Sequence, residues 1–166
     1  MKNIVLIGMP GSGKSTLGRY LAELLERDFI DADQEIEKTS GKTIPALFAV
    51  SETCFRDWET AVVRKLSRTE NKVLAMGGGV VLRKENIACL KENGVVIFID
   101  RSPGDIIRDV NADIRPLLAA GKERIYELYI QRESLYREAA DLTVSNKGTL
   151  KDVLVRLLDA AKNNTR

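Results

Sequence analysis

A chain of 166 residues that is 44% hydrophobic, 30% charged and 5% aromatic has the make-up of one soluble α/β domain, large enough to bury a core without disulfide or metal staples. A formal net charge of +2 argues against nucleic acid or an anionic membrane as the main partner, and no apolar run approaches a secretory signal or a membrane span. Cys54 and Cys89 stand alone and histidine is absent, which excludes the usual zinc spacings and makes reduced, buried thiols of a cytoplasmic protein the expectation. Without histidine, a proton acceptor near neutral pH has to be a carboxylate, a lysine or the substrate itself.

Ile4-Val5-Leu6-Ile7 is an apolar run suited to a buried strand. Gly8 to Thr16 then follows the pattern G-x-x-x-x-G-K-[ST], and Leu17, Leu21, Leu24 and Leu25 recur behind it at helical spacing. A strand turning sharply into a helix aims successive backbone N–H groups and the positive helix end at one small volume, which polyphosphate fills. Gly11, Ser12, Gly13, Lys14, Ser15 and Thr16 are therefore expected to bind a nucleoside triphosphate. Lys14 would reach the β- and γ-phosphates, and the Ser15 hydroxyl would join the shell of a Mg²⁺ ion.

Asp28 to Asp33 reads as a short strand leading into a helix, with Asp31 and Asp33 projecting together from its end. Two carboxylates on one side of a phosphate loop suit metal and substrate chemistry; the plainer alternative is that Asp33 caps the helix. Thr43, ahead of Ile44-Pro45, and Ser51 each start a further helix. The second of these carries Phe55, Trp58, Val62 and Leu66 as its buried face, with Arg56 and Glu59 as neighbours on the adjoining one. By spacing alone that pair could equally be a surface ion pair worth little.

Val73 to Met76 is a strand running into Gly77-Gly78-Gly79, where either a ligand approaches closely or the chain simply turns. After a helix over Glu85 to Lys91, the most apolar run, Val95 to Ile99, makes an interior strand. Asp100 at its end is read as structural, a cap for the next helix. From about 109 to 121 a polar, proline-broken stretch containing Arg115 suits a mobile lid, with Arg108 just before it. The following helix carries an apolar stripe of Ile125, Leu128, Tyr129, Leu135, Tyr136 and Ala139. Arg132 falls within that stripe and so calls for an anionic partner, either a phosphate or an internal carboxylate. Leu142 to Val144 is a last strand, Ser145 to Gly148 a loop, and Leu150 to Ala161 a closing helix, beyond which Lys162 to Arg166 are expected to fray.

Taken in order along nearly the whole chain, these segments resemble shikimate kinase. The resemblance rests on the phosphate loop, Phe29 to Asp33, Phe55 to Glu59, Gly77 to Gly79, Arg115-Pro116-Leu117-Leu118, and Arg132 through Tyr136 and Ala139. It implies a three-layer α/β/α kinase of the nucleoside monophosphate kinase type, with a five-stranded parallel sheet, a substrate-binding region at about 31–60 and a lid. It also implies transfer of the ATP γ-phosphoryl group to the 3-hydroxyl of shikimate by a cytoplasmic monomer that uses Mg²⁺. By that resemblance Asp31 and Ser15 would serve the metal, and Asp33 would hold shikimate hydroxyls and accept the proton. Arg56 and Arg132 would bind the carboxylate, Glu59 would orient Arg56, and Gly78 and Gly79 would offer N–H groups. Arg115 would close onto the phosphates, Arg108 would lie against adenine, and Lys147 would belong to the loop over the base.

Two departures stand out. Ala75-Met76 occupies positions where a serine or threonine is usual, and Ser51-Glu52 replaces a common Gly-Glu. The nearest rival is another small-molecule P-loop kinase, such as a gluconate kinase. A GTPase is disfavoured because Thr149 stands where N-K-x-D needs its aspartate, and a mechanical ATPase because Asp100-Arg101 is not an acidic pair.

Overall fold

A computed structural model describes residues 1–109 and 121–165. In chain order the strands are β1 (Asn3–Ile7), β2 (Asp28–Asp31), β3 (Lys72–Ala75), β4 (Gly94–Asp100) and β5 (Leu142–Ser145). Among the described residues the helices are α1 (Lys14–Leu24), α2 (Ala32–Ser40), α3 (Ile44–Val50), α4 (Glu52–Ser67), α5 (Lys84–Glu92), α6 (Pro103–Arg108), α7 (Lys122–Ala139) and α8 (Leu150–Asn164). The strands form one parallel sheet in the order β2-β3-β1-β4-β5, with Leu6 beside both Ala75 and Ile97.

Alternation along the strands builds two cores, one on each face. Val5, Ile7, Leu74, Val96 and Phe98 pack with Ile36, Leu66, Leu90 and Tyr136 from α2, α4, α5 and α7. Ile4, Leu6, Val73, Ile97 and Ile99 pack with Leu17 and Leu21 of α1 and with Val153 and Leu157 of α8. This is the expected three-layer α/β/α arrangement, and it brings the C-terminal ends of β1, β2 and β3 to one edge, where a parallel sheet places its ligand crevice. No helix among the described residues is long and apolar enough to cross a membrane.

Thr43 and Ser51 cap α3 and α4 as expected, accepting hydrogen bonds from the N–H groups of Ala46 (3.3 Å) and Cys54 (2.9 Å). Other expectations give way to tertiary packing. Leu24 is 55% exposed, because α1 ends there and only Leu17 and Leu21 face the sheet. Trp58 is half-buried, while Arg56, Glu59, Val62 and Val63 take the interior face of α4. Val80–Leu82 forms a 3₁₀ turn after the glycines. Ser102, not Asp100, caps α6; Asp100 pairs with Arg137 at 2.7 Å and accepts a hydrogen bond from the Tyr129 hydroxyl at 3.2 Å. Cys54 and Cys89 are free thiols, half-buried rather than fully enclosed. Fraying does not begin at Lys162: α8 runs to Asn164, Thr165 is buried and receives a hydrogen bond from Arg27 (3.2 Å), and Arg166 lies outside the described residues.

Gly94, at the start of β4, is a sensitive point in this packing. A Cβ there would lie 2.6 Å from the Leu90 carbonyl oxygen and 3.0 Å from Val5 Cγ2. Gly94→Ala should therefore cost about 1–3 kcal/mol and lower Tm by roughly 3–10 °C in thermal unfolding. An unchanged Tm would mean that the α5–β4 junction yields more easily than its backbone contact implies.

Candidate active site

The phosphate loop joins β1 to α1, and glycine conformations make its path possible. Gly11 and Gly13 have φ of 78° and 95°, and Gly13 precedes α1 with no side chain capping the first turn. Side-chain donors hold the loop's carbonyls. Lys14 Nζ donates to the carbonyls of Gly8 (2.9 Å) and Met9 (2.8 Å), Arg101 Nη1 to that of Gly11 (2.9 Å), and Asn146 Nδ2 to that of Ser12 (2.7 Å). A cavity of about 350 Å³ opens over Gly11, Gly13, Lys14, Ser15 and Thr16, with Asp31, Asp33, Met76, Gly77 and Gly78 on its far side. Ser12 is fully buried beneath the loop and does not line the cavity.

Asp31 and Asp33 both line this cavity, and Asp31 rather than Asp33 is the helix cap. Asp31 caps α2, its Oδ1 accepting the N–H groups of Asp33 (3.0 Å) and Gln34 (3.2 Å), while its Oδ2 accepts from Ser15 Oγ at 2.7 Å. Capping by Asp31 releases the Asp33 carboxylate into the cavity wall. Ser15 and Asp31 thus present two adjacent hard oxygens, the donor type Mg²⁺ takes when phosphates and water complete its shell. No group of three or more histidine, cysteine or acidic side chains able to hold a metal occurs among the described residues. Ala75 and Met76 supply no further hydroxyl.

Burial is the main reason that the Asp33 carboxyl is raised to about 6, with Asp31 and Glu59 adding to the rise and Lys14 and Arg56 opposing it. Asp33, Pro10, Gly77 and Gly78 also line a second cavity of about 410 Å³. Its other walls include Phe48, Arg56, Glu59, Gly79, Arg124 and Arg132. Arg56 and Glu59 form a buried ion pair, Nη1 to Oε1 at 2.8 Å, with exposures of only 9% and 3%. The surface alternative is therefore wrong. The Arg56 guanidinium lies over the rings of Phe55 (5.0 Å) and Phe48 (5.9 Å); among the described residues its Nε has only the long ion pair to Glu52 Oε1 (3.6 Å) and Glu59 Oε2 has no hydrogen-bond partner. Burial raises the Glu59 carboxyl, and Arg56 opposes the shift.

The three glycines fit this wall as nothing larger could. A Cβ on Gly77 would lie 2.9 Å from Asp33 Oδ1, one on Gly78 2.7 Å from Pro10 Cδ, and one on Gly79 2.3 Å from Arg56 Nη1. Arg132 is half-buried and borders the same cavity, with no ion pair to a carboxylate among the described residues, so an internal carboxylate partner is not found. Its charge acts on Glu59 and on the Tyr136 phenol; burial pushes that phenol up to about 12 while Arg132 pulls it down.

A third hollow continues from the loop along Arg101, Asp105, Arg108, Asn146, Lys147 and Gly148. Arg108 is exposed and tied back to Asp105 Oδ1 (2.5 Å) and the Gly104 carbonyl (3.2 Å). Arg115 and the expected lid, apart from its ends Asp109 and Gly121, lie outside the described residues. Sequence reasoning missed Arg101 and Asn146 as loop supports, Phe48 and Arg124 at the second cavity, and Tyr136, which is buried behind the glycine turn and donates to the Gly78 carbonyl. These side chains reach the site from distant elements, and no local spacing marks them.

Comparison with known proteins places this geometry in context. A family profile described as "Shikimate kinase" matches residues 10–162. The chain is 44% identical to the shikimate kinase of Clostridium beijerinckii over 99% of its own length and 98% of the relative's. To the shikimate kinase of Clostridium botulinum strain Eklund 17B it is 46% identical over 99% and 100% of the two chains. Among solved structures it resembles shikimate kinase from Acinetobacter baumannii in complex with shikimate, with a TM-score of 0.89, 37% identity, and coverage of 99% and 94%. Shikimate kinase from Aquifex aeolicus gives a TM-score of 0.81 at 32% identity, covering 99% of both chains.

The raised carboxyl of Asp33 has a consequence for stability. With a folded pKa of about 6 against an ordinary 3.8, its ionisation opposes folding increasingly as pH rises between those values and fully above them. Asp33→Asn should therefore stabilise the protein at pH 7.5 by on the order of 3 kcal/mol, seen as a raised Tm, and leave Tm unchanged below about pH 4. A Tm difference independent of pH would place the Asp33 charge in a wetter setting than the structure describes.

Proposed function

The chain belongs to the shikimate kinase family, and we propose that it transfers the γ-phosphoryl group of ATP to the 3-hydroxyl of shikimate, giving shikimate 3-phosphate and ADP. The observation that carries this reading is the wall shared by the two cavities, Pro10, Asp33, Gly77 and Gly78. It lets a phosphoryl donor over Lys14 and an acceptor beside Arg56 meet at one carboxylate.

In this reading Gly11 to Thr16 hold the phosphates, and Lys14 exchanges its carbonyl contacts for the β- and γ-oxygens. Ser15 and Asp31 would hold Mg²⁺, which neutralises charge on the phosphates. Arg56, held against Glu59, and Arg132 would bind the shikimate carboxylate; two cations facing one polar cavity suit an anionic acceptor. Asp33 would orient the hydroxyls. As the 3-hydroxyl oxygen bonds to the γ-phosphorus, the bond to the β,γ-bridging oxygen breaks and ADP leaves with that electron pair. The hydroxyl proton passes to Asp33, which is ionised above about pH 6 and so is available near neutrality. Arg108 and Lys147 would flank the nucleoside in the third hollow. We further read the protein as a monomeric, cytoplasmic enzyme of aromatic amino acid biosynthesis that binds neither nucleic acid nor membrane, a reading in keeping with its modest net charge.

With ATP and Mg²⁺ in a coupled ADP-release assay, shikimate should be turned over, and gluconate and nucleoside monophosphates should be left essentially untouched. Faster turnover of gluconate or a nucleotide would overturn the assignment. Arg115 enters this reading through the family resemblance, as the residue that meets negative charge spreading over the transferring group. Arg115→Ala should keep its Tm and lose at least roughly a hundredfold in kcat, and Arg115→Lys should recover only part of that loss. If kcat were unchanged in the alanine variant, the residue would have no part in transfer.

A further inference from the structure

Tyr136 is among the largest fully buried side chains, and its hydroxyl donates a 2.5 Å hydrogen bond to the Gly78 carbonyl. The rest of the ring is fixed to the sheet, stacked on Phe98 of β4 with centroids 5.1 Å apart and planes 23° from parallel. Gly78 lines both the phosphate-loop cavity and the arginine-lined cavity, and Pro10 lies against it where a Cβ would be. We propose that Tyr136 is a positioning residue for the acceptor: its hydroxyl fixes the orientation of the Gly78–Gly79 peptide at the cavity that Arg132 also lines. The inference rests on the functional reading above.

The geometry of the peptide unit carries the argument. In a trans peptide the carbonyl of Gly78 and the N–H of Gly79 point in opposite directions. A bond that draws the carbonyl toward α7 therefore turns the Gly79 N–H away from it. Gly79 in turn packs against Arg56, whose guanidinium lies where a Cβ would be. Arg132 lies one helical turn before Tyr136, on the same face of α7, and its charge reaches the phenol. One hydroxyl thus ties the glycine turn to the helix that carries Arg132. Burial keeps that hydroxyl protonated, and so a donor, at every working pH. Of the two cavities Gly79 lines only the arginine-lined one, so loss of the bond should be felt on the acceptor side.

The test is Tyr136→Phe, which removes one oxygen and keeps the buried ring. Steady-state kinetics should show the KM for shikimate raised by roughly five- to tenfold, with the KM for ATP unchanged. Calorimetry without nucleotide should show the same weakening of shikimate binding. Phe98→Leu is the companion variant: it disturbs the stacking but keeps the hydroxyl. It should lower Tm and move the shikimate KM less than Tyr136→Phe does. Parallel changes in both KM values, an unchanged shikimate KM, or loss of the fold in Tyr136→Phe would each overturn the inference, the last by making the hydroxyl purely structural. Should the wild-type protein itself fail to use shikimate, the functional reading falls and takes the inference with it. Should the wild type use shikimate and the variant match it, only the inference falls.

Discussion

Three side chains converge on the turn Gly77-Gly78-Gly79 from different elements: Asp33 from α2, Pro10 from the phosphate loop and Arg56 from α4. Each comes so close that a methyl group on the facing glycine would overlap it, so the backbone itself forms the partition between the two cavities. This close approach is the constraint on which the rest depends. It lets a carboxylate, a phosphate loop and a guanidinium share one wall, and it requires β1, β2 and β3 to end together, as parallel pairing in the order β2-β3-β1 ensures. Substituting the turn would push apart groups that phosphoryl transfer needs in register, since that chemistry depends on positioning and charge more than on a strong base.

Electrostatics around the partition is balanced on both sides. Lys14 faces Asp33 from the phosphate side and Arg56 from the acceptor side, while Asp31 and Glu59 oppose them. Burial outweighs the cations at Asp33 and lifts its carboxyl toward neutrality, into the range where a group can both lose and regain a proton in turnover. Burying Arg56 and Glu59 together is costly by itself, and neither satisfies all its polar atoms internally. Such a pair contributes little to stability but holds the guanidinium at the wall of the second cavity, over the rings of Phe48 and Phe55. The arrangement favours function over the best-packed core.

Much of this was legible in the chain because local chemistry dictated it. The phosphate loop, the apolar strands and the Thr43 and Ser51 caps all follow from short-range patterns. What escaped was decided at long range. Either Asp31 or Asp33 could cap a helix by propensity; in the fold Asp31 takes the N–H groups of Asp33 and Gln34 on one oxygen and the distant Ser15 hydroxyl on the other. The spacing of Arg56 and Glu59 marks them as neighbours, but their burial comes from α3 and from the glycine turn. Tyr136 meets Gly78 across 58 residues of sequence, and Asn146 meets Ser12 across 134, separations that no periodicity encodes. The close of the chain follows the same rule: its polar residues carry no local signal of order, and Arg27 holds Thr165 from across the sequence.

The central claim is that the γ-phosphoryl group crosses the Asp33–glycine partition onto one particular hydroxyl. Phosphorus NMR of the products formed from ATP, Mg²⁺ and shikimate examines that crossing directly. The account predicts a new phosphomonoester resonance, coupled to the ring proton on C3 and growing in step with ADP. Inorganic phosphate as the sole new species, or an ester on a different hydroxyl, would contradict it.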